Sequence, residues 1–158
     1  MKLINLIDSN ALIPKLEHVD RDGAITELVE ALIAGGAVDA KLGDELVSMI
    51  IEREKKGSTG FGKGVAVPHV KHAGISGMAA AIGVSQRGVD FNALDKAPVY
   101  TIVLLLSSQD KPDEHLQAME NIFSHLQNDT FRRFLRQSTT VEEIRDLIEE
   151  ADTQQFQG

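Results

Sequence analysis

The run from Pro98 to Leu106, PVYTIVLLL, limits the architecture of this chain more than any other stretch. It is apolar almost throughout and rich in β-branched residues, the pattern of a strand buried on both faces. Proline at its first position is tolerated because a strand can start on a residue that donates no ladder hydrogen bond. Such a strand needs cover on both sides, and the rest of the sequence supplies helices to provide it.

Ile25, Leu28, Val29, Leu32 and Ile33 follow Asp22 at helical spacing, and Gly35-Gly36 ends that helix. A second is predicted after Asp39, with Leu42, Leu46, Met49 and Ile50 on one face, ending near Gly57. A third follows Lys111-Pro112 and carries Leu116, Met119, Ile122, Phe123 and Leu126. Asp129 opens a short fourth, and Thr140 with Glu143 forms a capping box before Ile144, Leu147 and Ile148. Further strands are expected at about 78–84 and over 11–19, the latter broken or bulged at Pro14. The pattern is α/β, a central sheet flanked by helices in a single domain over residues 1–158.

Composition excludes several function classes. The 158 residues contain no cysteine, hence no disulfide, thiolate nucleophile or zinc-thiolate site. A net charge of −8 lacks the basic footprint of a nucleic-acid binder, and 4% aromatics offer no base-stacking platform. No apolar run approaches the ~20 residues that span a bilayer, so no membrane insertion is expected. The apolar stretch after Lys2 is too short for a signal peptide, which makes the expected location cytoplasmic.

The segment Gly57-Ser-Thr-Gly-Phe-Gly-Lys-Gly64 fits the P-loop spacing through Gly62-Lys63, but Gly64 stands where the magnesium-binding hydroxyl belongs. The loop also follows a helix and leads into Val65-Ala66-Val67-Pro68, where Pro68 forbids the helix that a P-loop or a Rossmann turn requires. No nucleotide or other cofactor is therefore expected. Gly60, Gly62 and Gly64 could gather backbone N–H groups around a single anion, or could simply form a surface turn.

His69 stands at the mouth of that loop, delivered by the fixed φ of Pro68. A neutral imidazole is a competent nucleophile near pH 7. Arg53 lies three residues after Ile50 and four after Met49, so it continues the apolar stripe of the second helix. Such an arginine either snorkels from the helix end or is held inward against an anion. His115 lines up with Met119, Ile122 and Leu126 in the first turn of the third helix, where the dipole favours an anion. A core histidine bound to a carbonyl would explain it as well. Nucleophile, guanidinium and second imidazole together suit phosphoryl transfer, which needs positioning and positive charge around the phosphoryl oxygens. A zinc site from His69, His72 and His115 lacks any carboxylate or thiolate at a metal spacing. Spacing assigns no role to His18, His72 or His125.

Arg53-Glu54, Gly57-Ser58-Thr59-Gly60 and Gly62-x-Gly64-Val65-Ala66-Val67-Pro68-His69 resemble the active-site signature of enzyme IIA of the bacterial phosphotransferase system, fructose/mannitol type. The resemblance continues through Gly88-Val89-Asp90-Phe91, the Val99–Leu106 run and His115-Leu116, covering roughly residues 5–150. It implies a mixed sheet of the mannitol enzyme IIA kind, with His69 matching the phosphorylated histidine and Arg53 and His115 the residues that assist it. It also implies a histidine-phosphorylated carrier, HPr, as donor. Sugar-transporting members pass the phosphate to a cysteine of a B domain, which this cysteine-free chain does not contain. A free-standing A domain resembles the nitrogen-regulatory branch, whose members act on target proteins according to their phosphorylation. The alternative is a sugar-specific enzyme IIA that serves a separate enzyme IIB.

Overall fold

The computed structural model describes residues 2–153. Its first half runs α1 (Leu3–Leu6), β1 (Ile7–Ile13), α2 (Arg21–Ala34), α3 (Gly43–Lys56), β2 (Gly60–Gly62), β3 (Val65–Ala66) and β4 (His69–His72). Its second half runs β5 (Met78–Val89), β6 (Val99–Ser108), α4 (Pro112–Leu126), α5 (Asp129–Gln137) and α6 (Val141–Asp152). The sheet has six strands in the order β1-β5-β6-β3-β2, with β4 also paired to β6. It is mixed: β5 and β6 are antiparallel, while β1 runs parallel to β5 and both β3 and β4 run parallel to β6.

β6 is buried on both faces, as its composition predicts. Ile102, Leu104 and Leu106 enter one core with Ile25, Leu28 and Leu32 of α2 and Leu46 and Ile50 of α3. Val103 and Leu105 enter a second core with Met119 and Ile122 of α4, Phe131 and Leu135 of α5, and Ile144 and Ile148 of α6. Alternation of side chains along one strand thus serves two separate helical layers.

Several boundaries differ from the sequence expectation, each for a local reason. The cap of α2 is Asp20, whose carboxylate accepts the Gly23 N–H at 2.9 Å, so that helix starts before Asp22. A short 3-10 turn at Ala40–Leu42, capped by Asp39, delays α3 to Gly43. The strand expected over 11–19 occupies Ile7–Ile13, and the chain leaves the sheet at Pro14. α1 has only four residues and so no helical periodicity to read; the Asp152 carboxylate holds its Leu3 and Ile4 N–H groups at 2.6 and 2.8 Å. The strand expected over 78–84 continues to Val89 across a shift of register.

One detail of the sheet prepares the site. β3 and β4 keep a single register against β6, from Val65 opposite Thr101 to His72 opposite Ser108. They are one strand interrupted at Val67-Pro68. Pro68 has no N–H to give, but its carbonyl still accepts the Leu105 N–H at 3.0 Å. His69 therefore sits at a fixed height beside Leu105, where α3 ends and α4 begins.

Candidate active site

His69, His115 and Arg53 line one cavity of about 750 Å³, together with Ser48, Met49, Glu52, Lys56, Val70, Lys71 and Gln109. They come from three elements: β4, the first turn of α4 and the last turn of α3.

The His69 ring is half-buried, and its Nδ1 lies 2.7 Å from the Val67 carbonyl oxygen. A carbonyl only accepts, so Nδ1 carries the ring proton and the lone pair of the neutral ring is on Nε2. The His115 ring lies 5.5 Å away, centroid to centroid, tilted by 48°. Its Nδ1 is hydrogen-bonded to the Ser107 hydroxyl of β6. With that hydroxyl donating, the ring proton of His115 is on Nε2. Burial lowers the His115 pKa below 6.5, and the neighbouring His69 and Lys71 lower it further, which favours the neutral ring.

Arg53 departs from its expected register. The buried stripe of α3 is Gly43, Leu46, Ile50 and Glu54, at intervals of three and four residues. Arg53 is on the exposed flank, where its Nη1 donates to the Gly57 carbonyl at 2.8 Å and its side chain borders the cavity. Met49, the residue that suggested an inward arginine, is itself only partly buried and lines the same cavity. Lys56 and Lys71 add positive charge nearby; the acidic Glu52 is paired to Lys55 at 3.2 Å.

Gly60, Gly62 and Gly64 do not line this cavity. Gly62 and Gly64 belong to a tight turn, and Gly60 to the strand before it. Lys63 (φ 61°) and Gly64 (φ 75°) are the two central residues of the hairpin joining β2 to β3, the geometry whose twist matches the flanking strands. Gly60 packs against Ala93, and its N–H is taken by the Ser58 hydroxyl at 3.0 Å. The remaining histidines do not line this cavity. His72 accepts the Gly74 N–H on Nδ1 at 2.8 Å, which leaves Nε2–H to donate to Glu45 at 3.0 Å. His125 lies against Phe131, and His18 is bound to Glu27.

Residues 5–151 match the family model for EIIA 2 of the phosphoenolpyruvate-dependent sugar phosphotransferase system. The chain belongs to this family. A fructose-specific EIIABC component of Bacillus subtilis is 29% identical over 154 residues; the match takes in 96% of this chain but only 24% of that protein's length. A nitrogen regulatory protein of Pseudomonas aeruginosa is 36% identical over 99 residues, 63% of this chain and 64% of that one. Among solved structures, nitrogen regulatory protein IIA-Ntr of Neisseria meningitidis superimposes with a TM-score of 0.82 at 25% identity, over 92% of this chain and 98% of that one. The mixed sheet flanked by helices is thus the EIIA fold.

Two residues beside this EIIA site have contacts that spacing alone does not assign. Ser107 is one of a pair of serines closing the strand run, and only the fold brings it to His115. Glu54 was detectable: it is four residues past Ile50 and eight past Leu46, a carboxylate on a stripe that is otherwise apolar.

Proposed function

We propose that this EIIA chain is a phosphoryl carrier whose His69 Nε2 accepts a phosphoryl group from a histidine-phosphorylated protein of the HPr kind. The observation that carries the reading is the Val67 carbonyl on Nδ1. It leaves Nε2 as the nucleophile and turns it towards a cavity edged by a guanidinium and a second imidazole.

The chemistry then needs few parts. The Nε2 lone pair attacks phosphorus in line, the new N–P bond forms as the donor's N–P bond breaks, and the electron pair leaves with the donor imidazole. Nδ1–H stays on Val67 throughout and stabilises the charge that develops on the ring. Arg53 supplies a fixed positive charge, and His115 Nε2–H donates to a phosphoryl oxygen. Both act on charge that spreads in the transition state. A half-buried, neutral His115 is a donor across the neutral pH range.

The phosphate then serves as a signal to target proteins, the nitrogen-regulatory reading. It is supported by the likeness to the Neisseria structure over almost the whole of both chains. The Bacillus relative, a fructose-specific EIIABC component, favours a second reading in which the phosphate moves on to an EIIB cysteine. No metal or nucleotide takes part in either.

The test is phosphorylation with enzyme I, HPr and phosphoenolpyruvate, followed by intact-mass spectrometry. Wild type gains one acid-labile phosphoryl group and His69→Ala gains none; equal labelling of the alanine variant overturns the assignment. Mixing the phosphorylated protein with a fructose-type EIIB separates the two destinations, since only the sugar reading loses the label rapidly.

A further inference from the structure

Of the described residues that are buried as a whole, Glu54 is the only one with an acidic or basic side chain, at 3% exposure. A buried carboxylate is costly unless its oxygens are satisfied, and here one residue satisfies both. Thr59 gives its N–H to Glu54 Oε2 at 2.8 Å and its hydroxyl to Oε1. Helix α3 is thereby tied to the start of β2 across the turn that separates them.

Two further hydrogen bonds lead from this tie to the reacting histidine. The Thr59 carbonyl accepts the Val67 N–H at 3.3 Å, and the Val67 carbonyl holds His69 Nδ1 at 2.7 Å. A second branch leads to the guanidinium. The Gly57 N–H binds the Glu54 carbonyl at 3.2 Å, and the Gly57 carbonyl receives Arg53 Nη1 at 2.8 Å. The turn from Gly57 to Thr59 therefore fixes both the ring and the cation, and the Glu54 carboxylate fixes the turn.

We infer that Glu54, acting through Thr59, is a positioning residue that sets the orientation of both His69 and Arg53 for phosphoryl transfer. This rests on the phosphoryl-carrier reading, and its first readout does not. Glu54 does not line the cavity, so it acts on the reacting groups through the turn it holds. Misplacing reacting groups by about 1 Å costs up to ~10²-fold in rate, and a loosened turn falls within that range.

Three substitutions test the inference: Glu54→Gln, Thr59→Val, which loses only the hydroxyl donor, and Thr59→Ser, which restores it. Nitrogen NMR of the imidazoles reads the His69 tautomer directly. In Glu54→Gln and Thr59→Val the His69 signals move towards a mixture of tautomers while those of His115, held by Ser107, stay in place; Thr59→Ser resembles wild type. Transfer from HPr, scaled to the folded fraction from melts, slows about 10-fold or more in the first two variants, with the KM for HPr unchanged. The inference is overturned if the His69 signals stay put, or if folded Glu54→Gln and Thr59→Val transfer at the wild-type rate. A wild type that takes no phosphate would sink the carrier reading; a selective His69 shift would still uphold the hold of Glu54 on that ring.

Discussion

The two helix ends that face His69 are opposites. α4 points its N-terminus at the cavity, where unpaired N–H groups and the dipole already favour an anion, and its first turn even carries the acidic Asp113 and Glu114. α3 points its C-terminus there, where unpaired carbonyls repel an anion, and its last turn carries Arg53, Lys55 and Lys56. On one side the backbone supplies the favourable field, and a neutral imidazole suffices as donor. On the other a formal charge must overcome an adverse field. On the proposed reading Arg53 and His115 are therefore not equivalent assistants, although both border the same cavity.

That asymmetry sets the order of the effects. Arg53→Ala removes the guanidinium from the helix C-terminus, leaving only the more mobile charge of Lys56 there, next to a group that brings nearly two negative charges. The expected loss is about 3 kcal/mol of transition-state stabilisation, or on the order of 10²–10³ in rate, with the fold intact because Arg53 is exposed. Arg53→Lys should recover part of this, since it keeps the charge and loses the planar fork that reaches both Gly57 and a phosphoryl oxygen. Rapid-quench transfer rates decide the matter. Wild-type behaviour of Arg53→Ala would mean that the dipole end alone is enough.

The α4 side should be gentler. His115→Ala removes one neutral donor while the helix N-terminus remains, so accepting phosphate slows less than in Arg53→Ala. Ser107→Ala leaves the imidazole in place and frees its tautomer. Loss of one hydrogen bond of about 1 kcal/mol corresponds to roughly a fivefold slower transfer. The same rapid-quench series measures both, and a Ser107→Ala effect as large as that of Arg53→Ala would erase the distinction between the two helix ends.

Much of this was legible in the chain. Val99–Leu106 announces burial on both faces, and from Ile102 to Leu106 its side chains alternate between the two cores. The Pro68-His69 step announces a fixed histidine, and the unbroken register of β3 and β4 is its structural counterpart. What failed did so for identifiable reasons. Met49 and Ile50 place Arg53 on the apolar stripe, snorkelling or inward, whereas the buried stripe passes from Ile50 to Glu54, whose carboxylate is satisfied by Thr59 just ahead of β2. The glycines are open to two readings, an anion cradle or a turn, and the pairing of Gly62 with Val65 puts Lys63 and Gly64 in a turn. α1 depends on Asp152, 149 residues from Leu3 in sequence, and Ser107 meets His115 eight residues on only because the chain turns back from β6 into α4, so no periodic pattern encodes either.

The smallest effect concerns a histidine outside the site. His125 is packed against Phe131, with ring centroids 6.0 Å apart, and its Nε2 is 3.9 Å from the Asp152 carboxylate that holds α1. Burial lowers its pKa below 6.5, and Asp152 only partly opposes this. The folded state thus binds fewer protons than the unfolded chain just below that value, so stability is complete above about pH 6.5 and declines as pH falls through the folded pKa. His115 has the same sign. Exposed His18, raised by its hydrogen bond to Glu27, has the opposite one and loses its contribution as pH rises through its folded value. His125→Ala should therefore transfer phosphate at the wild-type rate, melt somewhat lower at neutral pH for want of the Phe131 contact, and show a shallower fall in Tm between about pH 7 and pH 5.5. The slope is flattened and not abolished, because His115 still titrates. Melts across that range, paired with transfer rates, give the answer: an unchanged slope would mean that His125 is not held neutral in the fold, and a slowed transfer would tie the α1–α6 junction to the site.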